Sequence, residues 1–330
     1  MIDIRPPYSS ALSGRRFIDL FAGIGAFRLA LSSLGAECVF SSEWDRDARN
    51  TYFMNYGDMP AGDITQIREE DIPAHDILCA GFPCQPFSVS GRQLGFDDAR
   101  GTLFFDVARI VRHHRPGLVL LENVRNFAVH DGGRTLSTVT GILDGLGYDV
   151  HYKVLNAARY GVPQKRDRIY FVCFRKDLSI AGFRFPEPFP LEKHLCDVLE
   201  GKEKTGEYIV RRDDIKIKAD AGLHYSDTSV RVGTVNRGGQ GERIYSTLGT
   251  AITLSAYGGG AGAKTGLYLD GSDVRRLSPR ECARLDGFPE SFLIPDNRNA
   301  AYRQFGNSIV IDVLQHILLS AADSGYGTVS

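Results

Sequence analysis

The first 175 positions alternate between short, solid apolar blocks and longer segments of helical spacing. The blocks are the run from Arg16 into Phe21, then Glu37–Ser42, Asp76–Ala80, Leu118–Leu121, Val150–Leu155 and Arg168–Phe174. Each is too short for a helix and is bounded by glycine, proline or polar residues, so each predicts a strand. Helices are predicted after the first glycine turn to about Leu34, over 102–115 with Phe104, Phe105, Val107, Ala108 and Val111 on one face, and over 135–146. Buried strands alternating with helices predict an α/β, Rossmann-like, doubly wound and mostly parallel sheet. Beyond the proline cluster of 185–190 the pattern changes. Residues 197–278 lack helical spacing and carry short β-like runs at Glu207–Val210, Val230–Thr234, Arg243–Ser246 and Ala251–Leu254. Glycine is dense at 238–241 and 258–260, which predicts a small, irregular β domain whose loops do recognition. Helical signals return at Ser278-Pro279-Arg280-Glu281, with serine as N-cap and Glu281 at the third helical position. A last helix, about Ile309–Ala322, is apolar on one side and is expected to pack back on the first domain. The expected division is 1–196 with 307–330 as one domain, 197–278 as a second, and 279–306 as a hinge region between them.

Ligands of such sheets bind at the carboxyl ends of the strands. Phe21, Glu43, Asp63, Cys84 and Glu122 all fall there, and several candidates at one edge weigh more than any one alone. Gly23 and Gly25 form a strand–GxG–helix turn of the kind that admits a nucleotide close to the backbone. Arg28 stands where a dinucleotide fingerprint has its third glycine, which disfavours a nicotinamide enzyme. Glu43 follows at close to the ~20-residue spacing of an acid that binds ribose hydroxyls. Trp44, beside it, either stacks on an adenine ring or packs in the core. Asp63 either accepts from an adenine amino group or caps a turn. Cys84 leaves the core on a loop through Gly81 and Pro83, which is where an α/β enzyme places a nucleophile, although cysteine is often just a small buried hydrophobe.

Composition narrows the classes. The chain's 330 residues suggest about two domains. With 43% apolar and 24% charged residues it is ordinary globular sequence, not a disordered or fibrous one. No apolar run approaches the ~18 residues of a membrane span, and the N-terminus lacks a signal-peptide core, so a cytoplasmic protein without membrane association is expected. The six cysteines have no CxxC spacing and the eight histidines form no HExxH, so neither a disulfide framework nor a metal is expected. A formal charge of −1 does not advertise nucleic-acid binding; a local basic face would be needed. Arg231, Arg237 and Arg243 with Lys165, Arg166 and Arg168 are candidates for it.

A thiolate paired with a carboxylic acid suits conjugate addition to a ring: the thiolate adds to one carbon while the acid serves the ring nitrogen that gains electrons. With a nucleotide-type site lacking the dinucleotide fingerprint, methyl transfer to a pyrimidine becomes a sensible reading. The ordered series Phe21-Ala22-Gly23-Ile24-Gly25, Gly81-Phe82-Pro83-Cys84-Gln85, Glu122-Asn123-Val124, Gln164-Lys165-Arg166-Asp167-Arg168 and Gly306-Asn307-Ser308 resembles the cytosine-5 DNA methyltransferases across almost the whole chain. One departure is Ala26, where the family usually has glycine; a helical backbone there would tolerate the methyl group.

The resemblance implies a class I methyltransferase fold, S-adenosylmethionine as methyl donor, double-stranded DNA as partner, a monomer, and functional pairing with a restriction endonuclease. It implies Cys84 as nucleophile, Glu122 on N3 and the exocyclic amine of the cytosine, Arg168 on its O2, and Arg166 holding the catalytic loop or the flipped base. Asn123 and Val124 would line that pocket. Phe21, Trp44, Glu43, Asp63, Ile64, Gly23, Gly25, Pro83, Leu103, Asn307 and Ile309 would form the donor's pocket. The base must be flipped out of the duplex to reach Cys84. Gln85, Ser88, Val89, Ser90 and Arg92 would approach DNA from one groove. Gln240, Arg243, Tyr257, Gly258 and Gly259 would read it from the other, with Arg243 bidentate on a guanine. The segment 238–247 is most similar to members reading GCGC. The rival classes are an RNA cytosine methyltransferase, which the large glycine-rich recognition segment disfavours, and a catalytically silent DNA-binding protein, which intact Cys84, Glu122 and Arg168 disfavour.

Overall fold

A computed structural model of the chain describes residues 10–83, 103–219 and 224–327. The larger sheet has six strands: β1 (Arg16–Leu20), β2 (Glu37–Ser42), β3 (Ile77–Ala80), β4 (Leu118–Val124), β5 (Tyr148–Asn156) and β6 (Asp167–Arg175). Their spatial order is β2-β1-β3-β4-β6-β5. β1 to β4 are parallel, and β6 runs antiparallel between β4 and β5. All four residues of β3 are buried, as a strand covered on both faces requires. The connection between β5 and β6 holds only a single 3-10 turn, too little for a crossover, so the two form a hairpin.

The helices of the described residues are α1 (Ala26–Ser32), α2 (Arg46–Tyr56), α3 (Leu103–His114), α4 (Arg134–Gly145), α5 (Lys202–Thr205), α6 (Pro279–Leu285), α7 (Arg298–Asn307) and α8 (Ile311–Ala321). Phe27, Leu31, Leu314, Ile317 and Leu318 of α1 and α8 pack on one face of the sheet. Phe104, Val107, Val111, Val139 and Leu143 of α3 and α4 pack on the other. The doubly wound architecture is therefore as predicted, with the C-terminal helix closing the first layer. Residues 298–326 are apolar enough by composition to cross a membrane, but this stretch breaks after Asn307 and most of its apolar face is buried in the core. Ala26 is the first residue of α1, so the methyl group there sits on helical backbone.

The smaller sheet comprises β7 (Lys216–Ile217), β8 (Arg231–Thr234), β9 (Arg243–Ser246), β10 (Leu267–Asp270) and β11 (Asp273–Arg275), in the order β11-β10-β9-β8-β7. Its core is small: Val232, Val235, Ile244, Leu267 and Val274. Two expectations are corrected. Glu207–Val210 is not a strand; it holds a 3-10 turn and one bridge from Ile209 to Arg275. Ala251–Leu254 does not join the small sheet; Ala251 instead pairs with Gln164 beside β6. The β10–β11 hairpin went unpredicted, although Asp270-Gly271 is a turn signal and Gly271 takes φ +64° there. Arg275 at the end of β11 is buried against Glu281, with Nη1–Oε2 and Nη2–Oε1 both 2.9 Å, and its Nε reaches Asp270 at 2.8 Å. Glu281 also closes the capping box with Ser278 at the start of α6. Removing one partner of such a buried pair typically costs about 3–5 kcal/mol, so this junction fixes the small sheet to α6.

Candidate active site

At the end of β1 the chain turns sharply. Phe21 adopts φ +55°, which a bulky residue rarely does, and Gly23 and Gly25 adopt φ +55° and +90°. Gly25 has no alternative. A Cβ there would stand 2.6 Å from the Tyr56 hydroxyl and 2.7 Å from its ring carbon Cζ. That hydroxyl donates to the carbonyls of Gly25 (2.9 Å) and Ile24 (3.3 Å), so Tyr56 holds the turn from behind. A Cβ at Gly23 would meet nothing within 4 Å, which leaves its face of the turn open to the cleft.

Glu43, just past β2, is buried and accepts the Gly23 N–H and the Asp45 N–H, each at 2.8 Å. Burial pushes its carboxyl above the ordinary value, while these two N–H groups pull it back. Trp44 is 78% exposed, so the core-packing alternative fails and its ring stands free at the rim. Asp63 caps a 3-10 turn through Thr65 N (3.0 Å), as the turn-cap reading has it, and also lines the cleft.

Phe21, Gly23, Glu43, Trp44, Asp63, Ile64, Pro83, Leu103, Asn307 and Ile309 line one continuous cleft of about 690 Å³, and Glu122 and Arg168 line it too. Gly25 lies behind this wall. The volume suits a nucleoside-sized ligand. The donor set fits S-adenosylmethionine: a free aromatic face, a carboxylate with lone pairs left for ribose hydroxyls, a second acid, and an open glycine turn. Sequence reasoning missed Tyr257 as a residue bordering this cleft, missed Arg303 and Gln304 altogether, and gave Ser308 only as the end of the Gly306-Asn307-Ser308 motif. These last three sit on and after α7, far from the glycine turn in sequence; only their nearness to Gly306-Asn307 pointed to them. Among the described residues, no group of three or more His, Cys, Asp or Glu could hold a metal ion.

Glu122 lies near the end of β4 and Arg168 near the start of β6. Because β6 is antiparallel, Val124 faces Arg168 and Glu122 faces Tyr170, so the two functional residues are diagonal neighbours. Arg168 Nε meets Glu122 Oε1 at 3.0 Å. Burial raises the Glu122 carboxyl, opposed first by Arg168 and then by Arg166. Its Oε2 lies 3.7 Å from where a Cβ of Gly81 would be, so Gly81 leaves that oxygen uncrowded. Asn123 donates to the Phe82 carbonyl at 2.8 Å and accepts the Val124 N–H at 2.9 Å, which fixes the end of β4 to the strand leading to Cys84.

Arg166 is not on the cleft. It is 2% exposed, and its guanidinium is spent on the carbonyls of Leu254 (3.1 Å), Gly306 (3.1 Å) and Ser308. Burial lowers its pKa to about 10. It ties residue 254 and the 306–308 segment to the approach of β6, and it is not among the residues lining the cleft. Gln164 does similar work, donating to the Leu285 carbonyl (2.9 Å) and to Asp286 (3.2 Å) and accepting from Leu254 N.

Gln240 and Arg243 are exposed on the loop between β8 and β9, with Arg243 opening β9. Tyr257 is 81% exposed and borders the cleft. Gly258 lies beside it in a second recess with Lys264 and Arg303. The Gln240 loop and the Tyr257–Gly260 loop touch backbone to backbone: a Cβ on Gly241 would overlap the Gly259 carbonyl. Gly241 and Gly260 thus serve contact between two loops. Cys84, Gln85, Ser88, Val89, Ser90 and Arg92 lie outside the described residues.

A family model described as C-5 cytosine-specific DNA methylase matches residues 15–322. The chain is 55% identical over 324 residues to the type II methyltransferase M.HhaI of Haemophilus parahaemolyticus, covering 98% of each chain. It is 42% identical to M.HpaII of Haemophilus parainfluenzae, covering 91% of this chain and 87% of that one. Its fold is similar to the Dnmt2 methyltransferase of S. pombe, with a TM-score of 0.69 at 20% identity over 92% of this chain and 97% of that one. The glycine turn, the acid after β2 and the Glu122–Arg168 pair on one cleft accord with these matches: the chain belongs to the C-5 cytosine-specific DNA methylase family.

Proposed function

We propose that this chain is a type II DNA cytosine-5 methyltransferase that modifies the first cytosine of GCGC in duplex DNA and so protects it from a matching endonuclease. The observation that carries the chemistry is the buried Glu122–Arg168 pair on the same cleft as the nucleoside-compatible wall, which brings the acid and the donor site together. The target sequence rests on the 55% identity to M.HhaI over 98% of the chain, together with the resemblance of residues 238–247 to members reading GCGC. The working division is 1–196 with 307–330 for chemistry, 197–278 for reading, and 279–306 between them. The enzyme acts as a monomer in the cytoplasm.

S-adenosylmethionine, when bound, supplies an electrophilic methyl group, and Phe21, Glu43, Trp44, Asp63 and Ile309 would hold it. Cys84, which follows cleft-lining Pro83 in sequence, is the nucleophile: its thiolate adds to C6 of the flipped cytosine, making C5 nucleophilic. Glu122 serves N3. Its Oε1 is held by Arg168, which leaves Oε2 for the ring nitrogen, and burial raises the carboxyl above its ordinary value, in the direction an acid role needs. Arg168 then offers its remaining N–H groups to the base's O2. Loss of the C5 proton and expulsion of the thiolate restore the ring and release Cys84.

The test is a base-resolution map of 5-methylcytosine on plasmid DNA treated with the protein and S-adenosylmethionine, beside Cys84→Ser. Methylation confined to the first C of GCGC and absent from the variant is the expected result. Methylation at another sequence would reject the target assignment alone. Methylation of RNA but not of duplex DNA would reject the substrate, and methylation by Cys84→Ser would reject the nucleophile.

A further inference from the structure

A cluster outside the cleft draws together residues from two parts of the small domain. Arg212, just before β7, forms a two-pronged ion pair with Asp214: Nε to Oδ1 at 2.7 Å and Nη2 to Oδ2 at 2.9 Å. The same Nη2 donates to Asn236 Oδ1 at 2.6 Å, and Asp214 Oδ2 accepts the Asn236 N–H at 2.8 Å. Asn236 passes the connection on. Its side-chain amide donates to Glu242 Oε1 at 2.9 Å, and Glu242 Oε2 accepts the Gly239 N–H at 2.9 Å. The result is a closed chain of hydrogen bonds across the base of residues 236–242, the loop on which Gln240 stands.

Isolated surface ion pairs contribute little, but a fork-on-fork pair shared with further partners is the exception. The backbone accords with a held loop. Asn236 takes φ +46°, a left-handed conformation that asparagine tolerates better than most residues, and the bonds on both faces of its side chain keep it there. The Asp214 carboxyl is held well below its ordinary range by Arg212 and the Asn236 N–H, and Glu242 is lowered by Asn236 and Gly239. On its far side the loop rests on the Tyr257–Gly260 backbone through Gly241.

We propose that Arg212, Asp214 and Asn236 are positioning residues for sequence reading: they hold the 236–242 loop in its reading shape before DNA arrives, without themselves touching DNA. This rests on the reading of Gln240 and Arg243 as base-facing. Preorganisation of this kind raises affinity by lowering the ordering cost on binding. It acts on the cognate duplex, whose edges need the loop in register, and not on non-specific binding.

The experiment measures binding of a fluorescent duplex carrying the mapped methylation site, and of one with a changed base pair, over a range of salt, with S-adenosylhomocysteine present. Asp214→Asn, Arg212→Ala and Arg212→Lys should each weaken cognate binding by about three- to tenfold, as expected for losing the ordering of one or two side chains. Non-cognate binding, the salt slope and kcat at saturating DNA should stay at wild-type values, and the Arg212→Ala, Asp214→Asn double variant should be no worse than either single one. If Arg212 instead holds a phosphate, Arg212→Ala would lower the log–log salt slope by about 0.9, Arg212→Lys would bind normally, and Asp214→Asn would be unaffected; that pattern overturns the proposal. Wild-type cognate binding in all three variants also overturns it. Arg243→Ala runs in parallel. If its site preference is unchanged, the loop is not a reader and both readings fall; if it loses preference while the clamp variants do not, only the clamp fails.

Discussion

Gly23 and Gly25 both have left-handed backbone, two residues apart, yet an added methyl group would meet different surroundings. Alanine at either position carries about 1–2 kcal/mol of left-handed strain. At Gly23 that is the whole cost to the fold, because nothing lies within 4 Å of the new carbon. At Gly25 the methyl group would press on the Tyr56 ring, with the hydroxyl 2.6 Å away. Overpacking of this kind adds about 1–3 kcal/mol. Displacing the ring would also break the Tyr56 bonds to the Ile24 and Gly25 carbonyls. Gly25→Ala is therefore expected to lose about 2–5 kcal/mol of stability, from the sum of these two effects, and Gly23→Ala about 1–2 kcal/mol. Urea denaturation of both variants with a shared slope measures the difference, and calorimetric titration with S-adenosylhomocysteine reports the cleft. Gly23→Ala should instead lose donor affinity out of proportion to its stability, since its open face fronts the cleft. Equal stability losses in the two variants would refute the reasoning, and so would a Gly25→Ala variant within about 0.5 kcal/mol of wild type.

Glu122→Gln keeps an oxygen for Arg168 but has no acidic proton, so methylation should slow by about a hundredfold or more with DNA binding retained; a single-turnover rate near wild type would remove its acid role. Asp286 is buried and its carboxyl is raised to about 7, and Asp19, buried beneath the glycine turn, is raised to about 8, in each case mainly by burial. Both lie above the ordinary 3.8, so the folded protein binds protons that the unfolded chain has lost. Stability should fall as pH rises from about 4 to about 8 and level off beyond. Asp286→Asn retains an acceptor for Gln164 and removes the part of this dependence that ends near 7; it should be more stable than wild type at pH 8, with the gap shrinking toward acid. An equal gap at pH 5 and pH 8 would contradict this account.

Much of this molecule was legible in the chain because its elements are locally consistent. The solid apolar blocks became β1 to β6 with small shifts at their ends, and the serine–proline–glutamate signal opened α6 where expected. The cleft-lining residues were legible because strand ends converge in a doubly wound sheet whatever the details of packing. What was not legible depends on contacts between distant segments. Ala251–Leu254 has strand-like side chains, but its partner is Gln164 and not the small sheet, and nothing local distinguishes the two. The place of Arg166 behind the wall follows from three carbonyls supplied by residues 254, 306 and 308. Arginine is usually exposed, so its burial could be found only once those carbonyls were seen to converge. Likewise Trp44 gave no sequence sign of whether it faced the core or the cleft, because an aromatic residue after a strand suits both.

The reversed direction of β6 has a bearing on how such an enzyme could diversify. Glu122 and Arg168 are set against each other by sheet register, with seven residue pairs aligned from Leu118↔Phe174 to Val124↔Arg168. The smaller sheet, which we propose as the reading module, lies wholly after β6 ends at Arg175. A replaced or lengthened module would therefore leave the register untouched, and the charge pair would stay assembled while the target sequence changed. On the proposed reading, chemistry and address would be separable parts of this chain, divided beyond the last strand of the large sheet.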